Sequence, residues 1–422
     1  MKQKIFRQIA DLRFAIFILW LISLVSIFGT IIEQDQSIET YKANYSLTNP
    51  VLGFLTWDQI LKFGLDHIYK TWWFFLLIFT FGLSLISCTV LQQFPSLKIA
   101  RRCQFFRTTQ SFHRLKIFTI LNNFSFTKII AEIKSKQYSI FQQKNIIYCY
   151  KGLIGRIAPI IVHISMILIL FGTIISSLFG FKAQELIPKT ESFQIQNILM
   201  NGQLTKLPII SARINDFWIT YTKARTVAQF YSDVSILNSQ GTEQLRKTIS
   251  VNYPLIYKGV YYYQTDWDLL GLRFKNRQQE ILEYPLRNIA NNSTKIWITW
   301  ISNDLLLTNG KIVIIDNLEG YCSIYDETGN FLGNIELNET IPLNSSITLV
   351  DIISSTGLQI KMDPGIPLIY TGFFFLMAST LISYVSYSQI WIIQKRKTLF
   401  IGGTSTRALF NFELEFFKFI KE

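Results

Sequence analysis

The run 156–179, RIAPIIVHISMILILFGTIISSLF, constrains this chain more than any other stretch. It is apolar over more than the roughly 20 residues that a helix needs to cross a bilayer. It encloses a single ionisable side chain, His163. The imidazole lies seven residues in from Arg156, roughly 10 Å along a helix that rises 1.5 Å per residue. A titratable group at membrane depth is costly and marks a functional site by default. Imidazole is also the commonest protein ligand for metals and for haem iron. The competing reading is that neutral His163 donates to a neighbouring helix and serves packing alone.

Three further runs have the same character: 14–32, 72–91 and 366–393. The charges between them alternate in kind. Residues 92–156 hold twelve Lys or Arg against the single acid Glu132, whereas 180–365 hold sixteen basic and eighteen acidic residues. Basic segments beside membrane spans stay on the side of synthesis. The net charge of +13 is therefore an orientation signal first and a nucleic-acid patch only as the weaker reading. Four spans agree with four alternations of charge. The expected layout is a terminus at 1–13, spans at 14–32, 72–91, 157–179 and 366–393, an outer loop at 33–71, a basic module at 92–156, an outer domain at 180–365, and a tail at 394–422. The first run is too long for a signal peptide and no cleavage site follows it. Nothing resembles a transit peptide either.

The outer segment 180–365 alternates short apolar runs with turn signals such as Ser239-Gln240-Gly241, Asn309-Gly310 and Thr328-Gly329-Asn330. That pattern predicts an antiparallel, sandwich-like β domain. The aromatic run Tyr261, Tyr262 and Tyr263 with Trp267 reads as core and cross-strand packing before it reads as a binding surface. In the tail, RALFNFELEFFKFIKE is apolar around much of its circumference and reads as an interfacial helix.

The four cysteines, Cys88, Cys103, Cys149 and Cys322, include no C-x-x-C pair. That argues against a thiol-redox enzyme, and without C-x-x-C-H the chain does not itself carry covalent haem. His67 lies beside the Trp72-Trp73 interfacial pair and could face a ligand at the outer surface. His113 reads as a surface residue of the basic module. Ser165, Gly172 and Ser176 share one face of the third span, turned away from His163, and suit a sister helix.

Several stretches together resemble the ResB-like family of cytochrome c biogenesis proteins. They are LRFAIFILWLISLVSIFGTIIEQ, LDHIYKTWWFFLLIFTFGLSLISCT, KGLIGRIAPIIVHISMILILFGTII, QFYSDVSILNSQGTEQLRKTISVNYPLIYKGVYYYQTDW and STGLQIKMDPGIPLIYTGF. The resemblance implies a multi-pass membrane protein with four transmembrane helices and a large lumenal β-rich domain. It implies work beside CcsA, delivering haem b in transit and attaching it to the C-x-x-C-H motifs of apocytochromes c such as cytochrome f. It implies a non-catalytic or co-catalytic subunit of a haem-lyase complex, with no free metal. His163 matches the membrane histidine thought to hold haem, and Asp363 matches the aspartate of the D-P-G stretch. The composition looks plastid-encoded, which implies a chloroplast thylakoid membrane with both termini stromal. Arg156, toward the basic side from His163, is placed to pair a haem propionate. A second axial histidine is not evident within the spans, so the partner is the expected donor. The alternative is a scaffold or apocytochrome chaperone that never touches haem.

Overall fold

The computed structural model describes residues 2–46, 50–51, 53–122, 125–223, 226–276, 279–291, 294–302, 310–315, 321–341, 347–395 and 398–421. The chain forms two units, Met1–Ser177 with Gly365–Glu422, and Leu178–Pro364.

In the first unit, three helices are long and apolar enough to cross a membrane: Leu12–Ile31, Trp72–Ala100 and Ile154–Phe179. The second is capped by Thr71, whose hydroxyl accepts the Phe74 N–H, and its first residue, Trp72, is 77% exposed. It runs past the expected end at Leu91. Pro95 lacks an N–H and its ring crowds the carbonyl one turn back. A wide π turn, Thr89–Gln93, takes up that conflict before the helix resumes as Phe94–Ala100. The third helix begins at Ile154, so Pro159, its sixth residue, lies beyond the first turn.

The small residues of the third helix do meet a sister. A Cβ added to Gly172 would lie 2.8 Å from Ile369 Cγ1, and one on Gly372 would lie 2.6 Å from Ile169 Cγ1. The helix Ile366–Ile382 therefore crosses Ile154–Phe179 nearly backbone to backbone, the contact that glycine permits in lipid. Gly172→Leu should force the pair apart and cost about 1–3 kcal/mol, the usual range for overpacking. A thermal melt of the purified chain in detergent reads that loss.

The expected fourth span, 366–393, needs correction. Its helix has 17 residues and ends at Ile382, and Ser388–Lys395 is a β-strand. Apolarity alone could not separate the two, because Trp391, Ile392 and Ile393 are buried in a sheet instead of facing lipid. That sheet runs in the order Ile117–Leu121, Thr398–Ser405, Ser388–Lys395, Ile146–Lys151, Ser139–Gln143. The segment 92–156 is thus not self-contained, since the C-terminal segment supplies the two strands between its first and its last pair. The tail has two apolar faces. On one side of helix Leu409–Lys421, Phe412, Phe416 and Phe419 are 3%, 0% and 2% exposed, packed with Ile129, Ile133, Ile147 and Ile390, while Phe410, Leu414 and Phe417 stay exposed on the other. Glycines let the chain pass here. Gly152 has φ +77°, and a Cβ on Gly155 would lie 2.0 Å from Val385 O.

Residues 33–71 form a compact cap. Gln34 ties it together, donating to Ile32 O at 2.9 Å and Leu65 O at 3.0 Å and accepting the Ile68 N–H at 3.0 Å. Tyr41 and Ile60 fill its core, with Ile32 and Leu55 around them.

The second unit is antiparallel throughout its described pairings, in three sheets. Two long strands, Val260–Lys275 and Thr348–Met362, run through both of its cores. At one end they join Phe181–Pro188 and face the sheet containing Ser211–Tyr221 and Val227–Leu237, around Ile214, Val234, Tyr262 and Leu358. At the other, Leu272, Phe274 and Leu349 pack on the five-stranded sheet around Trp297, Val313 and Ile324. Gly241 (φ +80°) and Gly329 (φ +87°) occupy two of the expected hairpin turns. The third expected turn includes Asn309, which lies outside the described residues. The aromatic run splits by strand alternation. Tyr262 is 1% exposed in the core, whereas Tyr261 and Tyr263 stack on the opposite face.

Burial settles the cysteines. Cys149 and Cys322 are each 1% exposed, and desolvation pushes both thiols up to about 12. A maleimide at neutral pH should therefore label exposed Cys103 in the folded chain and spare these two until denaturant is added, as mass spectrometry of the labelled peptides would read.

Candidate haem-ligand site

His163 is half-buried where the third helix meets the π turn of the second. Its Nδ1 lies 2.9 Å from Thr89 Oγ1. The Thr89 hydroxyl has one proton, and Leu85 O accepts it at 2.7 Å, since a carbonyl can only accept. Thr89 must then receive its other hydrogen bond from the ring. In the neutral imidazole this puts the proton on Nδ1 and the lone pair on Nε2; the ring's contacts are Thr89 and the Leu85 carbonyl, and a carbonyl cannot take up a lone pair. A metal-binding histidine is commonly held this way, its second nitrogen donating to an oxygen that fixes tautomer and orientation. The bond to Thr89 is also the helix-packing contact weighed against ligation. It occupies one nitrogen and leaves the other.

Arg156 repeats the arrangement one heptad away. Its Nη1 donates to Ser96 Oγ at 3.2 Å, and its guanidinium carbon lies 5.4 Å from the Tyr387 ring centroid. Thr89 and Ser96 are seven residues apart, as are His163 and Arg156, so the two pairs lie along one seam between the helices. Arg156 Nε is buried with no hydrogen-bond partner, and no carboxylate pairs with the guanidinium among the described residues. Beside it is a cavity of about 310 Å³, lined also by Gln92, Gln104 and Gln389. A half-buried guanidinium without a counter-anion leaves a place for one, so the cavity suits a carboxylate.

The other expected residues fall elsewhere. His67 belongs to the cap, 45% exposed, with Nδ1 2.8 Å from Asp66 Oδ2. It precedes the helix Trp72–Cys88 and Thr89 follows it, which puts about 25 Å of helix between His67 and the partner of His163. The two histidines are not brought to one ligand. Asp363 stands just before the Pro364–Gly365 turn that leads into the helix Ile366–Ile382. His113 is exposed, edge-on to Phe118 at 5.2 Å. Thr89, Ser96 and Tyr387 were not anticipated. The shared seven-residue spacing of 89/96 and 156/163 was readable, but nothing in the chain says which helices are neighbours.

Among the described residues, no group of three or more His, Cys, Asp or Glu converges to hold a bare ion. A single imidazole is too few donors for such an ion, yet enough for iron whose equatorial positions a porphyrin fills.

The model of the ResB-like family matches residues 12–298 and 323–417. The chain is 74% identical over 421 residues to the cytochrome c biogenesis protein Ccs1 of Phaeodactylum tricornutum, covering 100% of both chains. It is 66% identical, again over 100% of both, to the protein of that name from Trieres chinensis. Both relatives come from plastid-bearing algae. Among solved structures it aligns with a cytochrome c heme lyase CcmF at 7% identity and a TM-score of 0.25, over 79% of this chain and 42% of that one.

Proposed function

The chain belongs to the ResB-like family, and from that premise we propose that it holds haem in the membrane for attachment to apocytochromes c. Its place in c-type cytochrome biogenesis follows from its relatives. The finer step rests on one observation, the Thr89 hydroxyl that leaves the Nε2 lone pair of His163 for iron. Haem is the cargo. His163 supplies one axial nitrogen, and Arg156, roughly 10 Å away along the helix, neutralises a propionate. A CcsA-type subunit supplies the second axial ligand and completes the haem lyase, to which this chain contributes as a non-catalytic or co-catalytic subunit. The membrane is the thylakoid, with both termini and the basic sheet stromal and the β domain lumenal. Plastid-bearing relatives and the placement of charge support that orientation.

Thr89 offers the test. Thr89→Val keeps the shape and removes the acceptor, freeing the ring to rotate and change tautomer. Haem retained by the purified complex should fall about 10–100-fold, the usual cost of losing such a partner. Thr89→Ser should restore it. Unchanged retention and an unchanged visible spectrum in Thr89→Val would favour the second reading, in which the His163–Thr89 bond serves helix packing and the protein is a scaffold.

A further inference from the structure

The β domain carries a second surface with the chemistry of a porphyrin site, and we propose that it receives the haem carboxylates and ring face after the membrane step. This rests on the haem reading above. Strand register builds the surface row by row. Tyr261 pairs Lys361, and Lys361 pairs Lys182. In the next row, Tyr263 pairs Gln359, and Gln359 pairs Gln184. These six side chains share one face, because their neighbours Tyr262, Leu358, Ile360 and Ala183 fill the core on the other.

Two features of that face point to a ligand. Lys361 and Lys182 stand directly opposite each other, about 5 Å apart at Cβ, and neither has an ion pair among the described residues. Like charges so placed destabilise a sheet, and an anion would relieve both. Next to them, the Tyr261 and Tyr263 rings lie 10° from parallel with centroids 6.0 Å apart, a flat aromatic platform. Tyr263, Gln359 and Lys361 continue into a concavity of about 710 Å³ whose walls include Phe230 and Trp267. It opens where the strand Val260–Lys275 bulges between Gln264 and Asp266. Beneath the bulge, Gln264 is 4% exposed and locked by Ser232 and Thr356. The volume falls in the range of small-molecule sites. A planar aromatic anion with paired carboxylates satisfies the lysines and the tyrosines at once, whereas a simple anion leaves the aromatic platform unused.

The test uses the full chain in zwitterionic nanodiscs, in a His163→Gly, Arg156→Gln background, titrated with metal-free protoporphyrin IX and read by fluorescence. Without iron or the membrane residues, binding reports the β-domain surface. Adding Lys182→Gln and Lys361→Gln should weaken protoporphyrin IX about tenfold or more and leave its dimethyl ester almost unaffected. Tyr263→Leu should weaken both porphyrins alike. The proposal is overturned if the background chain binds no porphyrin, if neutralising both lysines changes nothing, or if acid and ester are weakened equally. Displacement by an acidic peptide at equal charge concentration also overturns it, since charge alone would then suffice. The His163 reading fails by a different result, full iron-haem retention in His163→Gly alone.

Discussion

His163→Gly should strip haem from the purified assembly while leaving the chain folded. The two halves of that expectation have separate physical reasons. Removing the ring leaves no stranded partner, because the Thr89 proton already goes to Leu85 O. The fold therefore loses one hydrogen bond, about 1 kcal/mol, and a further ~1 kcal/mol for glycine within a helix. Iron loses its ligand outright, and retention should drop by about two orders of magnitude or more. Glycine leaves an imidazole-sized space at the seam, so added imidazole should restore the haem absorbance. A chain that loses haem and regains none with imidazole, yet melts normally, would show that His163 acts through something other than ligation.

The second large effect concerns the C-terminal segment, which a reading as span plus surface helix would treat as nearly dispensable. A chain ending at Val385 lacks strands Ser388–Lys395 and Thr398–Ser405 as well as helix Leu409–Lys421. It should not fold its 101–151 region, since Ile117–Leu121 and Ile146–Lys151 then have no strands to pair with between them. A gentler variant separates folding from expression. Phe416→Ala empties a fully buried site and should cost about 3–5 kcal/mol, a large share of a marginal domain's stability. Limited proteolysis should then cut within 101–151 while leaving 178–364 intact. Equal resistance in wild type and variant would show that the tail is not part of that core.

What the sequence made legible follows from periodicity and charge. Runs such as 156–179 declare themselves by length, and the β domain of 180–365 by turns such as Ser239-Gln240-Gly241. The small-residue face of Ser165 and Gly172 also pointed correctly at a sister helix. The end of the last apolar run did not declare itself. A buried central strand such as Ser388–Lys395 is as apolar as a membrane helix, and the only difference is the partner it finds. The same holds for the tail, where Phe412, Phe416 and Phe419 mark one helical face whether lipid or a sheet covers it. At the site, His163 stood out because an ionisable group in an apolar run is costly. Thr89 did not, since a threonine near a helix end is ordinary until its neighbour is known. Arg156 stood out only by its place on the basic side of His163, and the cavity and the partnerless Nε beside it are visible only in the fold.

The central claim is that His163 Nε2 binds haem iron. Electron spin-echo measurements on the ferric complex, with this chain carrying ¹⁵N-histidine and its partner unlabelled, address it most directly. The account predicts a strong ¹⁵N coupling in wild type that vanishes in His163→Gly. A wild-type complex that holds its haem with no ¹⁵N coupling would contradict it.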